Sequence, residues 1–227
     1  MREFINLVTR LAGSDCLSVL PPDAAAPEHV AHWTSLRVVE ADITLRDLLS
    51  AHIPDQDPEC PDVRGLAGEH GLDQDQARAA AAVASTDPLV VVEGAAGAGK
   101  TTMLGVAIEA AHAQGRPTRV VAPTLRAAQV AEEELGVPAA SAAALVYAHG
   151  WRWNQDGVWT RLTAGDTDPD TGGLYPGPPG HALLAGGERV VVDEAGMLDQ
   201  DTAIALLTIT SEAGATVALV GDRAQLP

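Results

Sequence analysis

The stretch from Leu89 to Gln114 constrains this chain more than any other. A run of four apolar residues, Leu89-Val90-Val91-Val92, leads towards Gly94-Ala95-Ala96-Gly97-Ala98-Gly99-Lys100-Thr101. A helical pattern follows to about Gln114, where Gly115 and Pro117 end it. A short apolar run before a glycine loop is the pattern of a strand buried in a parallel sheet. Small residues let successive backbone N–H groups curl around phosphate oxygens, and the amino end of the next helix adds its dipole. In such a loop the lysine reaches the outer phosphates and the threonine hydroxyl ligates magnesium. Lys100 is the single lysine, beside thirteen arginines. A composition that otherwise avoids lysine places its only one where a phosphate loop requires it.

The same alternation of strand and helix runs through the rest of residues 66–227. Asp73 is expected to cap a helix with Ala77, Ala80, Ala81 and Ala84 on one face. A second strand is expected at 119–122, then a helix opened by Thr124 and stopped by Gly136 and Pro138. A third strand spans 189–192, Asp199 caps a helix to about Ser211, and a fourth strand spans 216–220. This order predicts an α/β fold, a mostly parallel sheet with helices on both faces.

Open parallel sheets bind ligands beyond the carboxyl ends of their strands, which makes Asp193 and Glu194 the next candidates. Asp193 is suited to hold magnesium through its water shell, and Glu194 to orient or deprotonate a water attacking a γ-phosphate. Gln225, after the fourth strand, is a candidate to contact that phosphate or water. The nucleotide-binding candidates are therefore Gly94, Ala95, Ala96, Gly97, Ala98, Gly99, Lys100, Thr101 and Thr102. Thr101 and Asp193 are the candidates for Mg2+, and Lys100, Glu194 and Gln225 for catalysis. Kinases of small molecules use a mobile lid rather than an Asp-Glu pair here. Guanine nucleotides are disfavoured because an Asn-Lys-x-Asp element would need a second lysine.

Residues 1–65 read as a small separate leader. Thr34 or Ser35 is expected to cap a helix with Leu36, Val39, Ile43, Leu45, Leu48 and Leu49 at imperfect helical spacing. Proline-rich stretches at 21–27 and 54–61 flank it. Residues 150–187 read as an irregular insertion rich in glycine and proline. Trp151, Trp153 and Trp159 flank an Asp156-Gly157 turn there and predict a hairpin, whose rings would pack on the domain or stack on bases. The two cysteines, Cys16 and Cys60, have no metal-ligand spacing. No run of about 18 apolar residues is present and no secretory signal is evident, so a cytoplasmic protein is expected. A net charge of −17 argues against nucleic-acid binding by the whole surface. Arg116, Arg119 and Arg126 fall within a stretch that has no carboxylate, a local basic strip on an acidic chain.

Together these segments resemble superfamily 1 DNA helicases of the RecD-like branch. They look most like the helicase part of conjugative relaxase–helicases of the TraI and TrwC (MobF) type. Leu72-Asp73-Gln74-Asp75-Gln76 matches the Q motif and the glycine loop matches motif I. Ala122-Pro123-Thr124-Leu125-Arg126-Ala127-Ala128 matches motif Ia, Asp193-Glu194-Ala195-Gly196 motif II, and Gly221-Asp222-Arg223-Ala224-Gln225-Leu226-Pro227 motif III. The leader's Trp33-Thr34-Ser35 through Glu40 resembles a helix that precedes the ATPase lobe in that group.

The resemblance implies a RecA-like lobe that binds ATP and Mg2+, with Gln76 reading the adenine edge and Thr124 touching single-stranded DNA. It also implies a second RecA-like lobe carrying an arginine finger, which the 227 residues do not include. ATP binding with low intrinsic hydrolysis and no unwinding is therefore expected, unless Arg223 or Arg189 of another copy supplies the cation. Where relatives carry threonine and histidine near DNA, this chain has Ala140-Ser141-Ala142-Ala143-Ala144. The relaxase tyrosines and histidine cluster have no counterpart, because Tyr147 and Tyr175 stand in no such setting.

Overall fold

The computed structural model describes residues 16–18, 33–52, 57–95, 97–154 and 157–222. The chain divides into two compact units, residues 1–47 and 48–227. In the first, strand β1 (Cys16–Ser18) pairs antiparallel with β2 (Trp33–Ser35). Helix α1 (Leu36–Ser50) follows directly, and Ser35 Oγ accepts the Val38 N–H at 3.3 Å, so Ser35 is the capping residue. Trp33, Thr34 and Ser35 form strand rather than the first turn of that helix. The proline stretch at 21–27 and residues 53–56 lie outside the described residues.

The second unit runs α2 (Arg64–Glu69), α3 (Gln74–Val83), β3 (Leu89–Glu93), α4 (Lys100–Ala113), β4 (Thr118–Ala122), α5 (Leu125–Leu135), β5 (Ala139–Ser141) and α6 (Ala142–Ala148). A hairpin of β6 (Trp151–Trp153) and β7 (Trp159–Arg161) comes next, then β8 (Arg189–Val192), α7 (Gln200–Ala213) and β9 (Thr216–Gly221). Five strands form one wholly parallel sheet in the order β3-β9-β8-β4-β5, flanked by helices. This is a RecA-like P-loop fold. Strand β5 was not expected from sequence, because Ala139-Ala140-Ser141 carries no β-branched residue. Parallel pairing of Ala139, Ala140 and Ser141 with Val120, Val121 and Ala122 holds it in place.

Burial explains the order. Every residue of central β8 is buried, and its valines pair with those of β4 and β9. Helix α4 is buried along most of its length through Met103, Leu104, Val106, Ala107, Ile108, Ala110 and Ala111, as a helix beneath a sheet and another helix must be. The alanines of α3 let it approach α4 closely, and Ala80, Val83 and Ala84 join the same core. Asp73 caps α3 in a full capping box with Gln76, Thr124 caps α5, and Asp199 caps α7.

Arg189 opens β8 at the amino edge of the sheet, with only 1% of its surface exposed. Its guanidinium donates to Val217 O at 3.0 Å, Ser85 O at 2.6 Å and Asp87 O at 2.8 Å. Burial holds its pKa down at about 10. It ties the lead-in to β3 onto β8 and β9. It lies at the end of β8 opposite Asp193 and cannot serve another copy as an arginine finger. Arg189→Ala removes three hydrogen bonds to carbonyls, of which Ser85 O keeps Arg116 as a donor, and opens a cavity. We expect it to lower unfolding stability by about 3 kcal/mol in urea titration, and a loss below about 0.5 kcal/mol would refute this role.

Within 150–187 the described residues are joined by a buried ion pair and a hairpin. Arg152 is buried, and its Nε and Nη2 donate to both Asp168 oxygens at 3.1 and 2.7 Å. Its Nη1 donates to Tyr147 O and Trp151 O, and its guanidinium lies 3.5 Å over the Tyr147 ring centre. The Arg152 hydrogen bonds draw the Asp168 carboxyl down to about 2. Gly150 adopts φ 88°, and a Cβ there would stand 2.6 Å from Leu162 O, so the turn into the hairpin admits only glycine. The expected hairpin is present. Its Asp156 lies outside the described residues, and Trp153 stacks on Trp159 with ring centres 4.8 Å apart.

Candidate nucleotide site

All five strands point the same way, so the segments that follow β3, β4, β8 and β9 meet along one edge. The glycine loop leaves β3 there. Gly94 N–H donates to Gly221 O at 3.0 Å, fastening the start of the loop to the end of β9. Ala98 N–H donates to Ala95 O at 3.1 Å, while Gly97 and Gly99 take left-handed φ of 76° and 72°. Those two glycines permit the curl that brings the chain round to the first turn of α4.

Lys100 folds back over the loop. Its Nζ donates to Gly94 O at 3.2 Å and stands 3.7 Å from Glu194 Oε1. Asp193 follows β8, its N–H donating to Val121 O at 2.9 Å. Glu194 is the one non-glycine among the described residues with positive φ, at 51°. Its N–H donates to Asp193 Oδ1 at 3.0 Å, which stabilises the left-handed turn and aims the Glu194 carboxylate towards Lys100. Burial raises the Asp193 pKa, and the neighbouring Glu194 and Glu134 charges add to the rise. A divalent cation alongside would favour the ionised form instead.

Two clefts flank Lys100 and Thr101. One, of about 440 Å³, lies between α3 and the loop and is bounded by Gln76, Val92, Gly94, Gly97, Ala98 and Lys100. The other, of about 410 Å³, is bounded by Thr101, Thr124, Arg126, Glu134, Asp193 and Glu194. Thr101 and Asp193 thus face one space, as a magnesium that arrives with its phosphates requires. Glu134, on α5, was not picked out from sequence. It is one of three consecutive glutamates, and only the packing of α5 turns that one to the cleft. Loop, lysine, threonine and carboxylates are suited together to a triphosphate with Mg2+.

Of the residues expected from sequence, Gly94, Gly97, Ala98, Gly99, Lys100, Thr101, Asp193, Glu194 and Gln76 line these clefts. Ala95 is exposed on the loop, and Thr102 is exposed on α4 outside both linings. Ala96, Gln225 and Arg223 lie outside the described residues.

The basic strip is not one surface. Arg116 donates to Ser85 O and Gln114 Oε1 at the amino edge of the sheet. Arg119 is held by Glu188 Oε1 at 2.9 Å and by the carbonyls of His181 and Leu183. Arg126 alone of the three is exposed, at the opposite end of β4. An intervening strand separates residues that are close in sequence.

The sequence model of the family described as AAA domain matches residues 71–227, well over half of the chain. The chain belongs to that family. Comparison with curated proteins finds no match. An AAA-type P-loop domain is an ATPase domain, and P-loop ATPase domains in general bind ATP with Mg2+. Among the described residues of this AAA-domain protein, no helix is long and apolar enough to cross a membrane.

Proposed function

We propose that this chain is the first, ATP-binding RecA-like lobe of a superfamily 1 DNA helicase of the RecD-like branch. Its parent would be a conjugative relaxase–helicase or an exonuclease V alpha-like enzyme. The observation that carries the reading is the meeting of motif segments on one sheet edge, with Lys100 3.7 Å from Glu194 between two clefts. Lys100, Thr101 and the loop N–H groups bind the magnesium-triphosphate, and Asp193 holds the metal's water shell. Glu194 orients and deprotonates the attacking water. Thr124 and Arg126 face single-stranded DNA. A second RecA-like lobe, in the same protein or in trans, closes on the nucleotide and supplies the remaining cation, with Gln225 reporting the γ-phosphate. Residues 1–65 are a leader and 66–227 the lobe, with 150–187 inserted.

A second reading draws on the fate of the arginines. Arg116 and Arg119 are engaged by backbone carbonyls and Glu188 on a chain of charge −17. That favours a non-motor ATP-binding module that regulates a partner. Steady-state phosphate release with and without single-stranded DNA, measured with a second RecA-like lobe supplied, separates the two, since turnover that ignores DNA there removes the helicase reading. Either way the isolated chain should bind an oligonucleotide more weakly than micromolar at physiological salt. With two or three phosphate contacts, its log–log salt slope should be no steeper than about −2. Submicromolar binding would overturn this and direct attention to the Trp153–Trp159 stack.

A further inference from the structure

Gln76 lies in the first turn of α3, and its side chain is engaged at both ends. Oε1 accepts the Asp73 N–H at 2.9 Å and closes the capping box, while Nε2 donates to Ala98 O of the glycine loop at 2.9 Å. The approach is close, for a Cβ on Gly99 would stand 2.8 Å from Nε2. No peptide among the described residues is cis, so the C=O and N–H of the Ala98–Gly99 peptide point in opposite directions. Tying Ala98 O to Gln76 therefore turns the Gly99 N–H away from α3.

We propose that Gln76 is a positioning residue for the phosphate loop, which through Ala98 aims the Gly99 N–H at the phosphate chain of any bound triphosphate. The inference rests on the phosphate-loop reading of Gly94–Thr101. Base reading, the role implied by the resemblance, would draw on the same amide, whose Oε1 and Nε2 each already hold one backbone group and keep one further site. The Gln76 contact acts instead on the part of a nucleotide that all bases share. It also explains why the loop's last glycine is confined twice, by its left-handed φ and by the amide packed against it.

The test is calorimetric titration of wild type, Gln76→Leu and Gln76→Glu with magnesium-ATP, magnesium-GTP and inorganic tripolyphosphate. Gln76→Glu keeps an acceptor for the Asp73 N–H and loses the donor to Ala98 O, so its melting temperature should stay near that of wild type. Both variants should weaken all three ligands by one common factor, roughly two- to tenfold for a single neutral hydrogen bond. The wild-type ratio of ATP to GTP affinity should survive in both. Unchanged tripolyphosphate affinity in Gln76→Glu, with ATP falling to the level of GTP, overturns the proposal and makes Gln76 a base reader. A wild type that binds none of the three ligands overturns the phosphate-loop reading itself, and the inference with it.

Discussion

Replacing Lys100 by alanine is expected to raise the dissociation constant for magnesium-ATP by roughly 10²–10⁴ while leaving the fold intact. An ammonium donating to two phosphate oxygens makes two charge-assisted hydrogen bonds, each worth about 1.5–3 kcal/mol. The fold should tolerate the change because Lys100 lies at the first turn of α4 and its polar contacts are local, to Gly94 O and Glu194. Part of the loss comes from Glu194. With the ammonium 3.7 Å away, that carboxylate is compensated, and without it a bare negative charge faces an anionic ligand. The double variant Lys100→Ala, Glu194→Gln should therefore regain roughly tenfold of the lost affinity, a like-charge term of about 1.4 kcal/mol. Calorimetry decides. A single variant that binds ATP as wild type does would show that the loop is not the phosphate site.

Glu194→Gln is expected to lower ATP turnover by roughly 10²–10⁴, the usual contribution of a positioned general base, with binding kept or improved. Glutamine preserves the shape and one acceptor but cannot take the proton of the attacking water. Binding should not suffer, because the substitution removes a negative charge beside the γ-phosphate. The backbone supports the assignment independently. A glutamate at φ 51° is strained by about 1–3 kcal/mol, and such strain persists where the surroundings impose it, commonly at active sites. Here the Asp193 Oδ1 bond to the Glu194 N–H helps to impose it. Phosphate release and equilibrium binding, measured on the same preparation, check the split. Turnover within tenfold of wild type would remove Glu194 from the chemistry.

Most of the fold was legible because its signals are local. The valine runs, the caps Asp73, Thr124 and Asp199, and the glycine stops placed four strands and their helices nearly as observed. Strand β5 escaped because its stability comes from pairing with β4 and not from its own residues. The Arg152–Asp168 pair escaped because its partners stand sixteen residues apart in a stretch rich in glycine and proline, with no local pattern to join them.

What the sequence determined by itself is the glycine loop with Lys100 and Thr101, and the carboxylates at the end of a valine strand. A curl, a cation and a hydroxyl at fixed spacing are contiguous chemistry, and parallel strands send such segments to one edge. Tertiary structure alone decided the partners of the long polar side chains. Arg189 reaches Ser85 O from 104 residues away, Arg119 reaches His181 O from 62, and Gln76 reaches Ala98 O from 22. A guanidinium or amide bonds whichever carbonyl the packed backbone brings within about 3 Å, and sequence spacing carries no record of that distance.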